Sequence, residues 1–163
     1  MNKFFALSWL CLLASLPLLQ AGQTFTYPAD SPIFEITYPE SWEIEQEEQV
    51  VTANSSSGAL SSVLMAVAGE DLESAVDGAK QGLSEVFEDF SLGEPREDEI
   101  NGLPALMFEG KGKGIDGASV DIGGTIFTPD GETYFMLFVF AAGDLSDDDM
   151  GEMVGILQSI KGR

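Results

Sequence analysis

Between Thr133 and Ala142 the chain reads T-Y-F-M-L-F-V-F-A-A. Alternate side chains of an extended strand point to opposite faces. Tyr134, Met136, Phe138 and Phe140 therefore share one side, and Phe135, Leu137, Val139 and Ala141 the other. Both sides are apolar, and the stretch is too short to cross a bilayer as a helix. It predicts a strand in the middle of a sheet that is covered above and below. Leu60 to Ala68, with five consecutive apolar residues from Val63 to Val67, predicts a neighbour in the sheet interior.

Strands with one wet face surround these two. Phe34, Ile36 and Tyr38 alternate with Glu35 and Thr37, until Pro39 stops the strand and Trp42 follows on the turn. Glu43 to Ala53 carries Ile44, Val50 and Val51 among many acids, which predicts two short edge strands whose charges discourage edge-to-edge pairing. Ser91 to Ile100 reads as a further acidic edge strand. Leu103 to Glu109 and Ser119 to Thr128 read as strands, the latter with Val120, Ile122 and Ile126 on one face. Turns are expected at 54–58, at Asn101-Gly102 and at Pro129-Asp130-Gly131. The last makes the Ser119 and Thr133 strands an antiparallel hairpin.

Two segments switch to helical spacing. Leu72, Ala75, Val76, Ala79, Leu83, Val86 and Phe87 recur at three and four after Asp71. Gly78 and Gly82 weaken that helix by about 1 kcal/mol each relative to alanine, so packing must hold it. Near the end, Ser146 reads as an N-cap, with Asp147, Asp148 and Asp149 at the positive end of the dipole. Met150, Met153, Val154, Leu157 and Ile160 are the expected buried stripe of this last helix. A sheet needing cover on both faces and two helices to supply it imply an α+β fold. The expected form is an α/β/α sandwich with a central, mostly antiparallel sheet and a helix on each face.

The 163 residues suffice for one domain with a proper core. Lys3, the apolar run from Phe4 to Leu19 and the Gln20-Ala21-Gly22 boundary predict a secretory signal peptide over 1–21. An uncleaved anchor is the competing reading. Lipidation at Cys11 is disfavoured, because Leu10 precedes it and the apolar run continues past it. Residues 22–32, with two prolines, are expected to be a loosely held lead, and 33–163 the single domain. The product would be periplasmic or extracellular, with no membrane span after cleavage. It would carry no cysteine, and six basic residues against 28 acidic, a net charge of −22. Such a surface repels nucleic acid and anionic membranes.

Candidate chemistry is sparse. The chain has no histidine, and its one cysteine lies in the leader, so the usual triads and zinc sites are absent. Nothing pairs two acids for hydrolysis, and no cofactor is implied. Gly112-x-Gly114-x-x-Gly117 spells a dinucleotide fingerprint, but a strand follows where a helix is required. A glycine-rich loop over 110–117 is expected instead. Lys111, Gly112, Lys113 and Gly114 are its candidate binding residues, a basic tip on an acidic body. Asp144, Asp147, Asp148 and Asp149 raise calcium, but fit no EF-hand spacing. Trp42 is expected in the core rather than as a stacking platform.

Four stretches carry a resemblance. They are I-x-Y-P-x-x-W from Ile36 to Trp42, I-N-G-L-P-A from Ile100 to Ala105, the strand pair around P-D-G, and I-L-Q-S-I-K from Ile156 to Lys161. Together they resemble the PsbP-like superfamily, which includes photosystem II PsbP proteins, Ran-binding Mog proteins and bacterial DcrB-like exported proteins. The resemblance spans nearly all of 33–161. It implies an α/β/α sandwich and a non-enzymatic role in binding or assembling other proteins, here an unknown envelope or exported protein. It brings no catalytic residues, and the acidity of this chain differs from a plant-type member. The alternative is an extracellular acidic module that binds a divalent cation or small ligand.

Overall fold

A computed structural model describes residues 22–47, 50–87, 89–113 and 117–163. The predicted signal peptide lies outside them. The strand expected at the centre is β10 (Tyr134–Ala142). It pairs antiparallel with β5 (Leu60–Val67) on one side and β9 (Ser119–Phe127) on the other. Outward from β5 come β4 (Val50–Asn54) and the edge strand β3 (Glu43–Glu47). Outward from β9 comes β8 (Leu103–Lys113), whose far side is shared by β6 (Phe90–Leu92) and β7 (Arg96–Ile100). Every pairing is antiparallel.

The two faces of this sheet carry two cores. On one, Met136, Phe138, Ile126 and Phe108 pack under α1 (Leu72–Val86), which contributes Ala75, Val76, Ala79 and Leu83. Asp71 caps α1 by accepting from Ser74 N at 2.7 Å, while the Ser74 hydroxyl accepts from Asp71 N at 3.1 Å. The Ser74 N–H first, then the Ser74 hydroxyl, hold the Asp71 carboxyl below its ordinary pKa. Gly78 is required by close approach, since a Cβ there would stand 3.0 Å from the Ala68 carbonyl oxygen. Gly124 serves similarly across the sheet, where the Phe108 ring lies over it.

On the other face Phe34, Phe127 and Phe135 cluster, with Phe34 to Phe135 centroids at 4.7 Å. This face is covered jointly by a small sheet and by α2 (Asp147–Ser159). The small sheet has the order β1 (Gly22–Tyr27), β2 (Phe34–Pro39), β11 (Lys161–Gly162). The expectation of a loose lead over 22–32 is corrected for 22–27. Gly22 to Tyr27 pair residue by residue with Pro39 to Phe34, and the Tyr27 side chain is 3 % exposed. Thr24, Phe25, Thr26 and Tyr27 are good strand formers, and burying Phe25 and Tyr27 outweighs the cost of ordering the segment. Arg163 pairs with Glu35 of β2 at 2.9 Å.

The turns fall where the residues require. Asn101 and Gly102 take φ values of 50° and 88° in the β7–β8 hairpin. Gly131 takes φ 79° between β9 and β10. Burial pushes the Asp130 carboxyl up, but N–H bonds from Thr133 and Glu132 outweigh it and leave the pKa lowered.

Candidate functional site

The sequence offers α2 two stripes, and the structure chooses the less apolar one for docking. Asp149, Glu152, Ile156 and Ser159, spaced by three and four, turn toward β2 and its neighbours. The Ser159 hydroxyl accepts from Thr37 N at 2.8 Å. Trp42 Nε1 donates to the Glu152 carboxylate at 2.7 Å, and Ser57 Oγ donates to Asp149 at 2.8 Å. Ser146 is the N-cap, as its sequence position predicts, and forms a capping box with Asp149. The Ser146 and Ser57 hydroxyls, then Ser146 N–H, hold the Asp149 carboxyl below its ordinary pKa. At the far end Asn101 Nδ2 donates to the Gln158 carbonyl at 2.8 Å and the Ile160 carbonyl at 2.7 Å.

The motif stretches of the resemblance thus meet in space. Ile36 to Trp42, Ile100 to Ala105 and Ile156 to Lys161 are the parts that seat α2. Their role is structural. Trp42 is 3 % exposed, a core aromatic as expected.

This docking corrects the expected buried stripe. Ile160 is buried, but Met150 is 43 % exposed and Val154 42 %, and Met153 and Leu157 are only half-buried. The physical reason is that Thr37 N–H and Trp42 Nε1–H need acceptors once enclosed, and Ser159 and Glu152 supply them. The helix consequently leaves Met150 and Val154 facing outward, while Met153 and Leu157 lie half-buried at the edge of the core. No sequence periodicity marked this stripe as surface.

Beside that stripe the sheet face is open. A groove of about 330 Å³ has Met107, Gly123, Val139, Met153 and Leu157 among its lining residues. It continues into one of about 710 Å³ reaching Leu145, Ala141, Lys111 and Asp121. Glu94 and Glu109 stand on the wall formed by β8 and the β6–β7 connection.

The structure brings Lys111 to the mouth of this groove, but not as part of a loop. Lys111 to Lys113 are the last residues of β8, hydrogen-bonded between β6 and β9. The loop expected over 110–117 is corrected to this extent, and Gly114 lies outside the described residues. Gly112 is buried, where a Cβ would come within 3.0 Å of Ile122 and 3.2 Å of Phe87. Each lysine has a carboxylate beside it: Lys111 pairs with Asp121 at 2.6 Å and Lys113 with Asp89 at 3.2 Å. The tip is charge-matched rather than basic.

Elsewhere, the Tyr38 hydroxyl is fully enclosed without a hydrogen-bond partner among the described residues, as is that of Ser62. Burial pushes the Tyr38 pKa up to about 12, and the Ser62 hydroxyl facing it offsets part of the rise without reaching hydrogen-bonding geometry. Among the described residues no group of three or more acids, histidines or cysteines is gathered to hold a metal ion. No helix among them is long and apolar enough to cross a membrane.

No family model matches the chain, and no curated protein matches it by sequence. Its fold does match solved structures. The cyanobacterial PsbP (CyanoP) of Synechocystis sp. PCC 6803 superposes with a TM-score of 0.60 at 14 % identity, over 93 % of this chain and 99 % of that one. LpqN of Mycobacterium tuberculosis, involved in cell envelope biogenesis, gives 0.60 at 12 % identity, over 86 % and 91 %. The Ran-binding protein Mog1p of Saccharomyces cerevisiae gives 0.54 at 11 % identity, over 87 % and 95 %. A Bacteroides thetaiotaomicron protein gives 0.59 at 17 % identity, and this chain spans about half its length, 48 %. The fold is the PsbP-like one that the sequence motifs resemble.

Proposed function

We propose that the chain is an exported, non-enzymatic binding module of the PsbP-like kind, which docks another envelope or exported protein at the end of the sheet where β8 finishes. The observation that carries this reading is the groove left between α2 and the sheet, and the perturbed groups lie elsewhere. Tyr27, Tyr38, Asp71, Asp130 and Asp149 are displaced from their ordinary pKa. The tyrosines are core residues and the aspartates close caps or turns. None stands in a cleft as a reacting group would. What the surface offers instead is an open sheet face beside a helix. The Ran-binding role of Mog1p and the envelope setting of LpqN are in keeping with this, and Lys3 with the apolar run to Leu19 supports export.

By this reading Lys111 and Lys113 take part in the contact, with Gly112 buried between them. The test is crosslinking of the tagged protein in its own envelope, comparing wild type with the Lys111→Glu/Lys113→Glu double variant. The wild type should capture a discrete partner and the double variant a different amount of it, because the charge at the groove mouth is reversed, with little change in melting temperature, since exposed ion pairs contribute little to folding. Absence of any discrete partner would overturn the reading. Intact mass of the exported protein should lack residues 1–21; retention of Met1 would overturn the cleavage.

A further inference from the structure

We propose that the outward stripe of α2 and the groove beside it bind a basic amphipathic segment of a partner protein, one with an apolar anchor flanked by lysine or arginine. This rests on the reading of the chain as a binding module and names what it takes.

The apolar half of the argument is geometric. Met150, Met153, Val154 and Leu157 form one continuous ridge on α2, and two of the four are more than 40 % exposed. Its inner flank descends to a floor of Val139, Ala141 and Gly123. Methionines on a ridge adapt to different anchors. Gly123 deepens the floor, because the nearest atom to a Cβ there would be the Val139 carbonyl oxygen at 3.9 Å.

The charge half selects the occupant. Among the described residues Lys80, Arg96, Lys111, Lys113 and Arg163 are in ion pairs, Arg96 within the groove lining itself, and the remaining lysine, Lys161, sits on β11 opposite Glu35 of β2. Glu94 and Glu109 on the groove wall are in none, and Asp147 and Asp148 are exposed at the start of α2. The carboxylates near the groove are therefore in surplus, on a chain of net charge −21. A second copy would bring the same charge and be repelled, whereas a basic segment is attracted and steered.

The test uses the full chain and a short fluorescent peptide of leucine and lysine in amphipathic spacing, read by anisotropy at physiological ionic strength. Controls replace leucine by serine or lysine by glutamate. Two variants separate the groove from simple attraction. Val154→Asp adds a negative charge, so attraction alone predicts tighter binding and the groove predicts weaker. Gly123→Val fills the floor without changing charge. Each should weaken the leucine–lysine peptide by roughly tenfold, the loss expected when an anchor site is charged or blocked. Thermal melts of both variants should stay near wild type. Tighter binding to Val154→Asp, unchanged binding to Gly123→Val in a folded protein, or equal binding of the serine control would overturn the proposal. Envelope capture that survives both substitutions would also overturn it while leaving the binding-module reading intact. Groove-dependent peptide binding with no partner in the envelope would do the reverse.

Discussion

Replacing Asn101 tests whether the β7–β8 hairpin holds the end of α2. Its side chain does two separate things. It occupies φ 50°, which most residues avoid, and its amide donates to the carbonyls of Gln158 and Ile160. Asn101→Gly keeps the conformation and removes the bonds. Asn101→Ala removes the bonds and adds strain. The Gln158 carbonyl bond is exposed and water replaces much of it, whereas the Ile160 bond is partly buried and counts nearly in full. Together they are worth about 1–2 kcal/mol. Forcing alanine into the left-handed region adds about 1 kcal/mol. The glycine variant should therefore lose roughly 5 °C in melting temperature and the alanine variant roughly 10 °C. Thermal and urea melts followed by circular dichroism would measure both, and hydrogen exchange should localise the loosening to the C-terminal turn of α2. A glycine variant as stable as wild type, with only alanine destabilised, would show that the turn matters and the link to α2 does not. Two unchanged variants would refute both parts.

Three further outcomes are expected. Tyr38→Phe should be as stable as wild type or slightly more so, because the enclosed hydroxyl forms no hydrogen bond to lose; a large fall in urea midpoint would contradict this. Acid should destabilise the fold below the ordinary aspartate value of 3.8, because Asp71, Asp130 and Asp149 are depressed in the folded state. Their stabilisation is present above that value and disappears as pH falls through the lowered ones. Asp149→Asn should flatten the acid limb of a melting-temperature profile, and an unaltered limb would count against the cap. Trp42, the sole tryptophan of residues 22–163, should emit in the blue and shift red on unfolding, since it is enclosed against Tyr38 and Glu152; emission at the water limit in the native protein would refute its burial.

The central strands were legible because both of their faces are apolar, and no other environment suits such a stretch. The hairpins at Asn101-Gly102 and Pro129-Asp130-Gly131 were legible for a different reason: few residue types tolerate those backbone angles. The caps at Asp71 and Ser146 are equally local. These features depend on neighbours a few residues away, so one sequence suffices to place them. The strand at Gly22 to Tyr27 was missed because its flanking prolines read as loop, while what orders it is the β2 strand, reached through a turn.

The orientation of α2 belongs to the tertiary structure alone. By periodicity, Met150, Met153, Val154 and Leu157 are the stripe to bury. The stripe that docks is polar because Thr37, Ser57 and Trp42 present hydrogen-bonding groups at its seat, up to 122 positions away in the chain. A hydrophobic count sees only the helix. The free energy of an enclosed donor depends on the partner it meets, and only the folded chain brings the two together. The same holds for Lys111 and Lys113, which look like free charges in sequence and become matched ones when the sheet sets Asp121 and Asp89 beside them. What was written locally is the fold. Which surface that fold leaves open, and with which sign of charge, was decided by contacts between distant residues.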